Sequence, residues 1–225
     1  MKRSRQYYLR KAHRFLGLFL GVQFLLWTLG GLYFSWTHIE EIHGDHFLTE
    51  SEKPFLTFDS LAFGFPAEES INSMQLVSVL DQPYFLINEV KLYHAVTGEL
   101  RGGISEAEAV KIAKNQLKED LAVAGIMYLT EVGEHHEFRG RPLPAWKVDF
   151  QSQENLSVYI NAKDGRFERV RHRSWRWFDF LWMLHTMDYE GRDNMNNTLL
   201  RVFSILGLFT VLSGFLLYFT TFRWR

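Results

Sequence analysis

Two long apolar segments near the ends of the chain constrain its fold more than any other feature. The first, residues 15–36, has no charged side chain, and the second, residues 199–222, has only Arg201. A helix needs about 20 predominantly apolar residues to cross the hydrocarbon core of a bilayer, and both segments are long enough. We therefore predict two transmembrane helices, at residues 15–37 and 197–222, that flank a central domain.

The charges before the first apolar segment predict its orientation. Six basic residues and no acidic residue precede Phe15, namely Lys2, Arg3, Arg5, Arg10, Lys11 and Arg14. Because cytoplasmic flanks of membrane helices are rich in Lys and Arg, we expect residues 1–14 and a short tail at residues 223–225 to be cytoplasmic. Residues 38–170 would then lie outside the cytoplasm. The four arginines in residues 169–177 run against this rule, because they fall on the outer side.

The composition excludes several kinds of site. The chain has no cysteine, so it cannot form disulfides, iron-sulfur clusters, thiolate zinc sites or thioether-linked haem. Its formal net charge of -1 does not favour a nucleic-acid partner. Neither a phosphate-binding loop nor a nucleotide-binding fingerprint occurs in the sequence. A redox function would therefore take its electrons from another molecule.

The segment between the spans indicates an α+β domain. Residues 105–108 have the Ser-x-x-Glu spacing of a helix capping box, and apolar residues follow on one helical face. Residues 92–100 and 159–167 each combine a strand, a Thr-Gly or Asp-Gly turn and a second strand. We predict two antiparallel hairpin units, residues 71–101 and 104–170, with the helix covering one face of a sheet.

Two shorter segments are assigned from composition. Residues 171–190 are rich in Trp and Phe, and such segments form amphipathic helices at membrane interfaces. We therefore predict an interfacial amphipathic helix there, whose aromatic side chains would also surround His185. Residues 135–137, His-His-Glu, fall in a predicted hairpin loop and are expected to be solvated.

Several stretches resemble a known family. ISEAEAVKIAKNQL, PAWKVDF and SVYINAKDGRF resemble a PepSY domain, and the apolar flanks resemble the membrane segments of the PepSY-associated transmembrane family. The most specific matches are HRFLGL, which contains His13, and the Leu-His pair at Leu184 and His185. Some larger members of that family are inner-membrane reductases of ferric siderophores that bind haem b through membrane histidines. The resemblance thus implies a bacterial inner-membrane protein with a periplasmic PepSY-like domain.

The resemblance makes histidines at the membrane boundaries the candidate ligands of haem iron. His13 is at the cytoplasmic end of the first predicted span, His38 is at its outer end, and His185 precedes the second span. At about 1.5 Å of rise per residue, His13 and His38 are too far apart to bind one iron. His38 or His43 would complete an outer site with His185, and His13 would pair with its copy in a homodimer.

Two classes of function follow. The first is haem b-dependent electron transfer across the membrane to ferric iron or a ferric siderophore, with a quinol or a partner protein as the electron donor. The second is a noncatalytic, membrane-anchored binding or regulatory module, or an accessory subunit of a membrane complex. In both, the expected partners are the lipid bilayer and either a second copy of the chain or a larger membrane complex.

Overall fold

The computed structural model describes residues 5–49 and 70–221. It combines α-helices with antiparallel β-sheet and has a long apolar helix toward each end. The prediction of both helix and antiparallel sheet is therefore confirmed. The chain divides into two compact units. The helical unit comprises the chain up to His38 and from Trp177 onward, and the sheet unit comprises Ile39–Arg176. The predicted tail at residues 223–225 lies outside the described residues.

In the part of the helical unit that the structure describes, two helices are long and apolar enough to cross a membrane. Helix α1 covers Arg5–Trp36, so the basic N-terminal segment continues the first apolar segment as one helix from Arg5 onward. The last helix, α5, covers Thr198–Thr221. The two helices run antiparallel, because Phe19 contacts Phe203 near one end of the contact and His13 reaches Ser213 near the other.

A third helix packs beside the C-terminal half of α1. Helix α4, Arg173–Thr186, begins in the sheet unit and ends in the helical unit. The last carbonyl groups of a helix lack partners within that helix. Here Gln23 donates to the Leu184 carbonyl at 3.0 Å and Trp27 donates to the His185 carbonyl at 2.8 Å. Polar side chains of α1 therefore stabilise the end of α4.

The segment between α4 and α5 is ordered by its own polar side chains. The Asp188 carboxylate accepts hydrogen bonds from the backbone N–H groups of Gly191 and Asn194, and these and other backbone donors hold the pKa of Asp188 below its usual value. Asn197 accepts from the N–H of Leu200, the pattern of a helix N-cap. The buried Asp179 carboxylate forms an ion pair with Arg192. These contacts end one helix and start the next.

Among its described residues, the sheet unit contains two four-stranded antiparallel sheets and three short helices. The first sheet has the order β1 (Met74–Val79), β2 (Gln82–Ile87), β3 (Lys91–His94) and β4 (Leu100–Arg101). The second has the order β5 (Val123–Leu129), β6 (Ala145–Phe150), β7 (Ser157–Asn161) and β8 (Phe167–Arg171). The helices are α2 (Ile39–His43), a 3-10 turn at Asp45–Phe47, and α3 (Glu106–Gln116).

Helix α3 and both sheets share one apolar core. Ser105 accepts from the N–H of Glu108, and the Glu108 side chain accepts from the N–H of Ser105, so the predicted capping box is present. The buried face of α3, at Ala109, Ile112 and Ala113, packs against inward residues of both sheets. One face of the second sheet is used in this core. The opposite face of the second sheet carries polar residues.

Candidate functional site

His185 lies in the last turn of α4 and packs against α1 within the helical unit. Its ring centroid is 5.7 Å from that of Phe34, 6.3 Å from that of Trp27 and 6.4 Å from that of Trp182, whose ring plane is nearly parallel to it. Because α4 and α1 are locked together by the Trp27 hydrogen bond to the His185 carbonyl, the backbone at this imidazole is held in place. The ring thus sits among aromatic side chains from two helices.

The Nδ1 atom of His185 is buried and has no hydrogen-bond partner among the described residues. A Cβ placed on Gly30 would lie 3.7 Å from this atom, so the surface of α1 covers it directly. A buried polar atom without a partner costs about 1–3 kcal/mol and calls for an explanation. Any ligand that reaches this ring from outside must use the other nitrogen, Nε2.

His13 lies on α1 at the contact with α5, and its ring is held by a hydrogen bond. Its Nδ1 is 2.7 Å from Ser213 Oγ, and that hydroxyl donates its proton to the Thr210 carbonyl at 2.8 Å. A hydroxyl has a single proton, so Ser213 accepts and His13 donates through Nδ1–H. Neutral imidazole then has its lone pair on Nε2. This tautomer and a fixed ring orientation are what metal-binding histidines require.

An open apolar cavity of about 550 Å³ adjoins His13 on the face formed by α1 and α5. A volume of this size falls in the range of small-molecule and cofactor sites. Its lining residues are His13, Thr210, Val211, Gly214, Phe215, Tyr218 and Phe219. A Cβ on Gly214 would lie 3.2 Å from His13 Cε1, so a glycine at this position provides the space for the imidazole.

His38, the other proposed ligand in the helical unit, is not brought to these sites. On α1, Gly30, which His185 contacts, lies about 25 Å beyond His13, so His13 and His185 cannot bind one iron. His38 follows the end of α1, is exposed, and lies about 12 Å beyond Gly30 along the direction of that helix. His43 is exposed in the sheet unit. One chain therefore offers a single histidine at each of two levels of the helical unit.

A second polar cluster lies on the face of the second sheet that is turned away from α3. The carboxylate of Glu137 accepts from Arg176 Nε at 2.6 Å, from Arg176 Nη2 at 3.1 Å and from the Tyr159 hydroxyl at 2.6 Å. Only 15% of the Glu137 side chain is exposed. The expectation that residues 135–137 form a solvated loop is therefore wrong for Glu137, because distant side chains converge on it.

The charges in this cluster are set by burial and by close partners. Burial alone would raise the pKa of Glu137, but hydrogen bonds from Arg176 and Tyr159 outweigh it and hold that pKa below its usual value. Burial and the neighbouring carboxylate of Glu137 raise the pKa of Tyr159. Glu137 is thus an anion and Tyr159 a neutral donor at physiological pH.

A buried histidine lies elsewhere in the sheet unit, where residues 42–47 meet the end of β8. His172 Nε2 is 3.2 Å from the Ile42 carbonyl, and the His46 ring centroid is 5.5 Å away. Gly44 has a φ of 83°, and a Cβ there would lie 2.5 Å from Val170, so this turn requires glycine. Burial lowers the pKa of His172 against a weaker opposing effect of the Ile42 carbonyl.

Among the described residues, these features define an α+β protein with two helices long and apolar enough to cross a membrane. His13 lies at the contact of these two helices, and His185 packs against the first of them from α4. Within the described residues no group of three or more His, Asp or Glu side chains is placed to hold a metal ion. Comparisons with protein-family models, curated proteins and solved structures found no match to this chain.

Proposed function

We propose that the protein is a bacterial inner-membrane PepSY-type protein that transfers electrons across the membrane through haem b, toward ferric iron or a ferric siderophore. The observation that carries the proposal is the state of His13. Its Nδ1–H is committed to Ser213, its Nε2 lone pair is available, and an apolar cavity of about 550 Å³ lies beside it. A planar apolar cofactor with an iron centre matches that combination of donor and surroundings.

The side chains would contribute orientation and exclusion of water. Bound haem b would supply a one-electron carrier whose potential depends on its axial ligands and on burial. Ser213 would hold the His13 ring, and Phe215 and Phe219 would exclude water from its cavity. At the other level, the His185 ring would present Nε2 while Gly30 covers Nδ1. Electrons would enter from a membrane quinol or a partner protein.

A homodimer follows from the number of ligands. Each chain has one histidine at each level, and a b-type iron with two imidazole ligands needs two. A second copy related by a two-fold axis would supply the same histidine at the same depth. The cavity beside His13 opens on the α1–α5 face, where a second pair of helices would pack.

The test is the haem content of the full chain purified in detergent after haem-supplemented expression. Pyridine hemochrome spectra would be recorded for the wild type, His13→Ala, His185→Ala and the double variant. His135→Ala, an exposed histidine of the sheet unit, is the matched control. We expect each single variant to lose about half of the haem, the double variant to lose all of it, and the control to lose none, since each histidine binds a separate iron.

Two results would contradict this function. A wild type that contains no haem, or single variants that both retain full haem content, would leave His13 and His185 as packing residues. The noncatalytic reading would then be preferred, in which the protein is a membrane-anchored binding or regulatory module or an accessory subunit. Circular dichroism of each variant would verify that the sheet unit remains folded, since neither histidine belongs to it.

A further inference from the structure

Four arginines close together, at positions 169, 171, 173 and 176, lie where the positive-inside rule does not expect them. The structure gives them different environments. Arg176 is neutralised by Glu137, and Arg173 is exposed at the start of α4. Arg169 and Arg171 lie on β8, two residues apart, and alternate residues of a strand point to the same face. These last two share the polar face of the second sheet.

Arg171 is a buried cation whose hydrogen bonds go to neutral groups. Only 7% of the residue is exposed, and its guanidinium donates to the backbone carbonyls of Glu137 and Val170. The same group lies 3.9 Å above the Trp175 ring. Among the described residues, no carboxylate forms an ion pair with it. A buried charge is costly unless an opposite charge accompanies it. The nearby Glu137 carboxylate raises the pKa of Arg171, but that carboxylate is already paired with Arg176.

Two further arginines increase the imbalance. Arg169 lies beside Arg171, and burial together with the nearby charge of Arg141 lowers its pKa. Burial lowers the pKa of Arg171 to about 10, and the charges of Arg169 and Arg141 act in the same direction. Within the part of the chain that the structure describes, neither Arg141 nor Arg169 forms a salt bridge. Three guanidinium groups thus share one region and repel one another.

The carboxylates on the same face are already engaged. Glu137 is bound by Arg176 and Tyr159, and Asp149 accepts from Ser157 at 2.6 Å and pairs with Lys147 at 3.1 Å. Arg176 and Lys147 are matched to these two acids, and the three remaining arginines have no ion-pair partner among the described residues.

We infer that Arg141, Arg169 and Arg171 form a binding site for a phosphate group. Guanidinium groups bind phosphate oxygens through pairs of charge-assisted hydrogen bonds, and a dianionic phosphate would offset most of the excess charge. The site lies in the sheet unit, so the inference does not depend on haem binding. Its phosphate has two sources, a small soluble phosphate or the headgroup of a lipid.

The test measures phosphate binding to the full chain in detergent. Protein prepared in chloride buffer would be titrated calorimetrically with inorganic phosphate at constant ionic strength, because exposed charges are screened by salt. The variants are Arg169→Gln and Arg141→Gln, which leave the buried Arg171 and its structural hydrogen bonds intact. Arg173→Gln is the matched control, since it removes the same charge from an exposed neighbouring position. A second series uses nanodiscs of a phosphate-free glycolipid with and without phosphatidylglycerol.

We expect saturable binding that is about tenfold weaker in Arg169→Gln and in Arg141→Gln, the effect of one lost charge-assisted hydrogen bond, and unchanged in the control. Without phosphate, both variants should unfold at the same temperature as the wild type or a higher one, because repulsion is relieved. If Arg169 or Arg141 had a purely structural role, its substitution would instead lower the unfolding temperature. Stabilisation by phosphatidylglycerol without binding of free phosphate would assign the lipid headgroup as the source. Equal affinity in wild type and variants, or no response to either source, would overturn the inference.

Discussion

Replacing Glu137 by Gln is the sharpest test of the polar cluster on the second sheet. The substitution keeps the shape of the side chain but removes the charge that accepts two hydrogen bonds from Arg176 and one from Tyr159. Arg176 then loses its ion-pair partner, while the Tyr159 hydroxyl retains an acceptor. The perturbation therefore isolates the contribution of charge at a largely buried site.

The expected cost follows from the burial of the pair. Removing one partner of a buried ion pair destabilises a protein by about 3–5 kcal/mol. Because 34% of the Arg176 side chain is exposed and hydrogen bonding is retained, we expect this substitution to cost no more than the lower figure. For a protein of about this size, 1 kcal/mol corresponds to a change of roughly 2–4 °C in the unfolding midpoint. We therefore expect the midpoint of the sheet unit to fall, by no more than roughly 6–12 °C at neutral pH.

The pH dependence gives the result a second, independent signature. Because the pKa of Glu137 is lowered by folding, its stabilisation is complete above the unfolded pKa of about 4.3 and is lost as the pH falls through the folded pKa. Thermal unfolding followed by far-ultraviolet circular dichroism would be recorded between neutral and acidic pH. The gap between wild type and Glu137→Gln should be largest near neutrality and should close in acid.

The control is Glu134→Gln, which removes a carboxylate from an exposed position of the same loop. Its midpoint should match that of the wild type at every pH, because exposed carboxylates contribute little. If Glu137→Gln unfolds at the wild-type temperature, or if its deficit persists unchanged in acid, the ionised Glu137 does not stabilise the sheet unit through Arg176 and the reasoning fails.

Two further predictions concern Gly214 and His172. Gly214→Ala should lower haem content, because the new Cβ would lie 3.2 Å from His13 Cε1 and would displace that ring. The control Gly30→Ala, whose nearest contacts are at 3.7 Å, should leave haem content unchanged. Equal haem content in the two variants would contradict this prediction. Burial lowers the pKa of His172, so the stability of the wild type should fall as the pH drops below about 6.5. His172→Gln should remove that component of the pH dependence. Parallel profiles of unfolding midpoint against pH in wild type and variant would disprove this prediction.

The long helices and the capped helix could be predicted because their signals are local. Uninterrupted apolar composition is enough to indicate α1 and α5, and the Ser105–Glu108 spacing is enough to indicate the start of α3. Each depends on neighbouring residues alone. The mixture of helix and antiparallel sheet follows similarly from turn residues between strands.

The environments of the functional side chains could not be predicted, because they depend on contacts between distant residues. Ser213 is 200 positions from His13, and Arg176 is 39 positions from Glu137. The His-His-Glu sequence alone predicts a solvated loop. Glu137 is nevertheless largely buried, because side chains from β7 and from the start of α4 contact it. The burial of His185 Nδ1 likewise depends on Gly30, which lies on another helix and is 155 positions away in the sequence.

The proposed orientation and the proposed dimer constrain each other. If every chain inserts with its basic N-terminus in the cytoplasm, two copies are parallel, and a two-fold axis must lie along the bilayer normal. That axis pairs His13 with His13 and His185 with His185. An axis in the membrane plane would instead match one level with the other, which requires opposite orientations. The parallel dimer therefore implies two irons for two chains, so a wild-type ratio near one haem per chain distinguishes ligation by paired copies from ligation by single histidines, which gives a ratio near two.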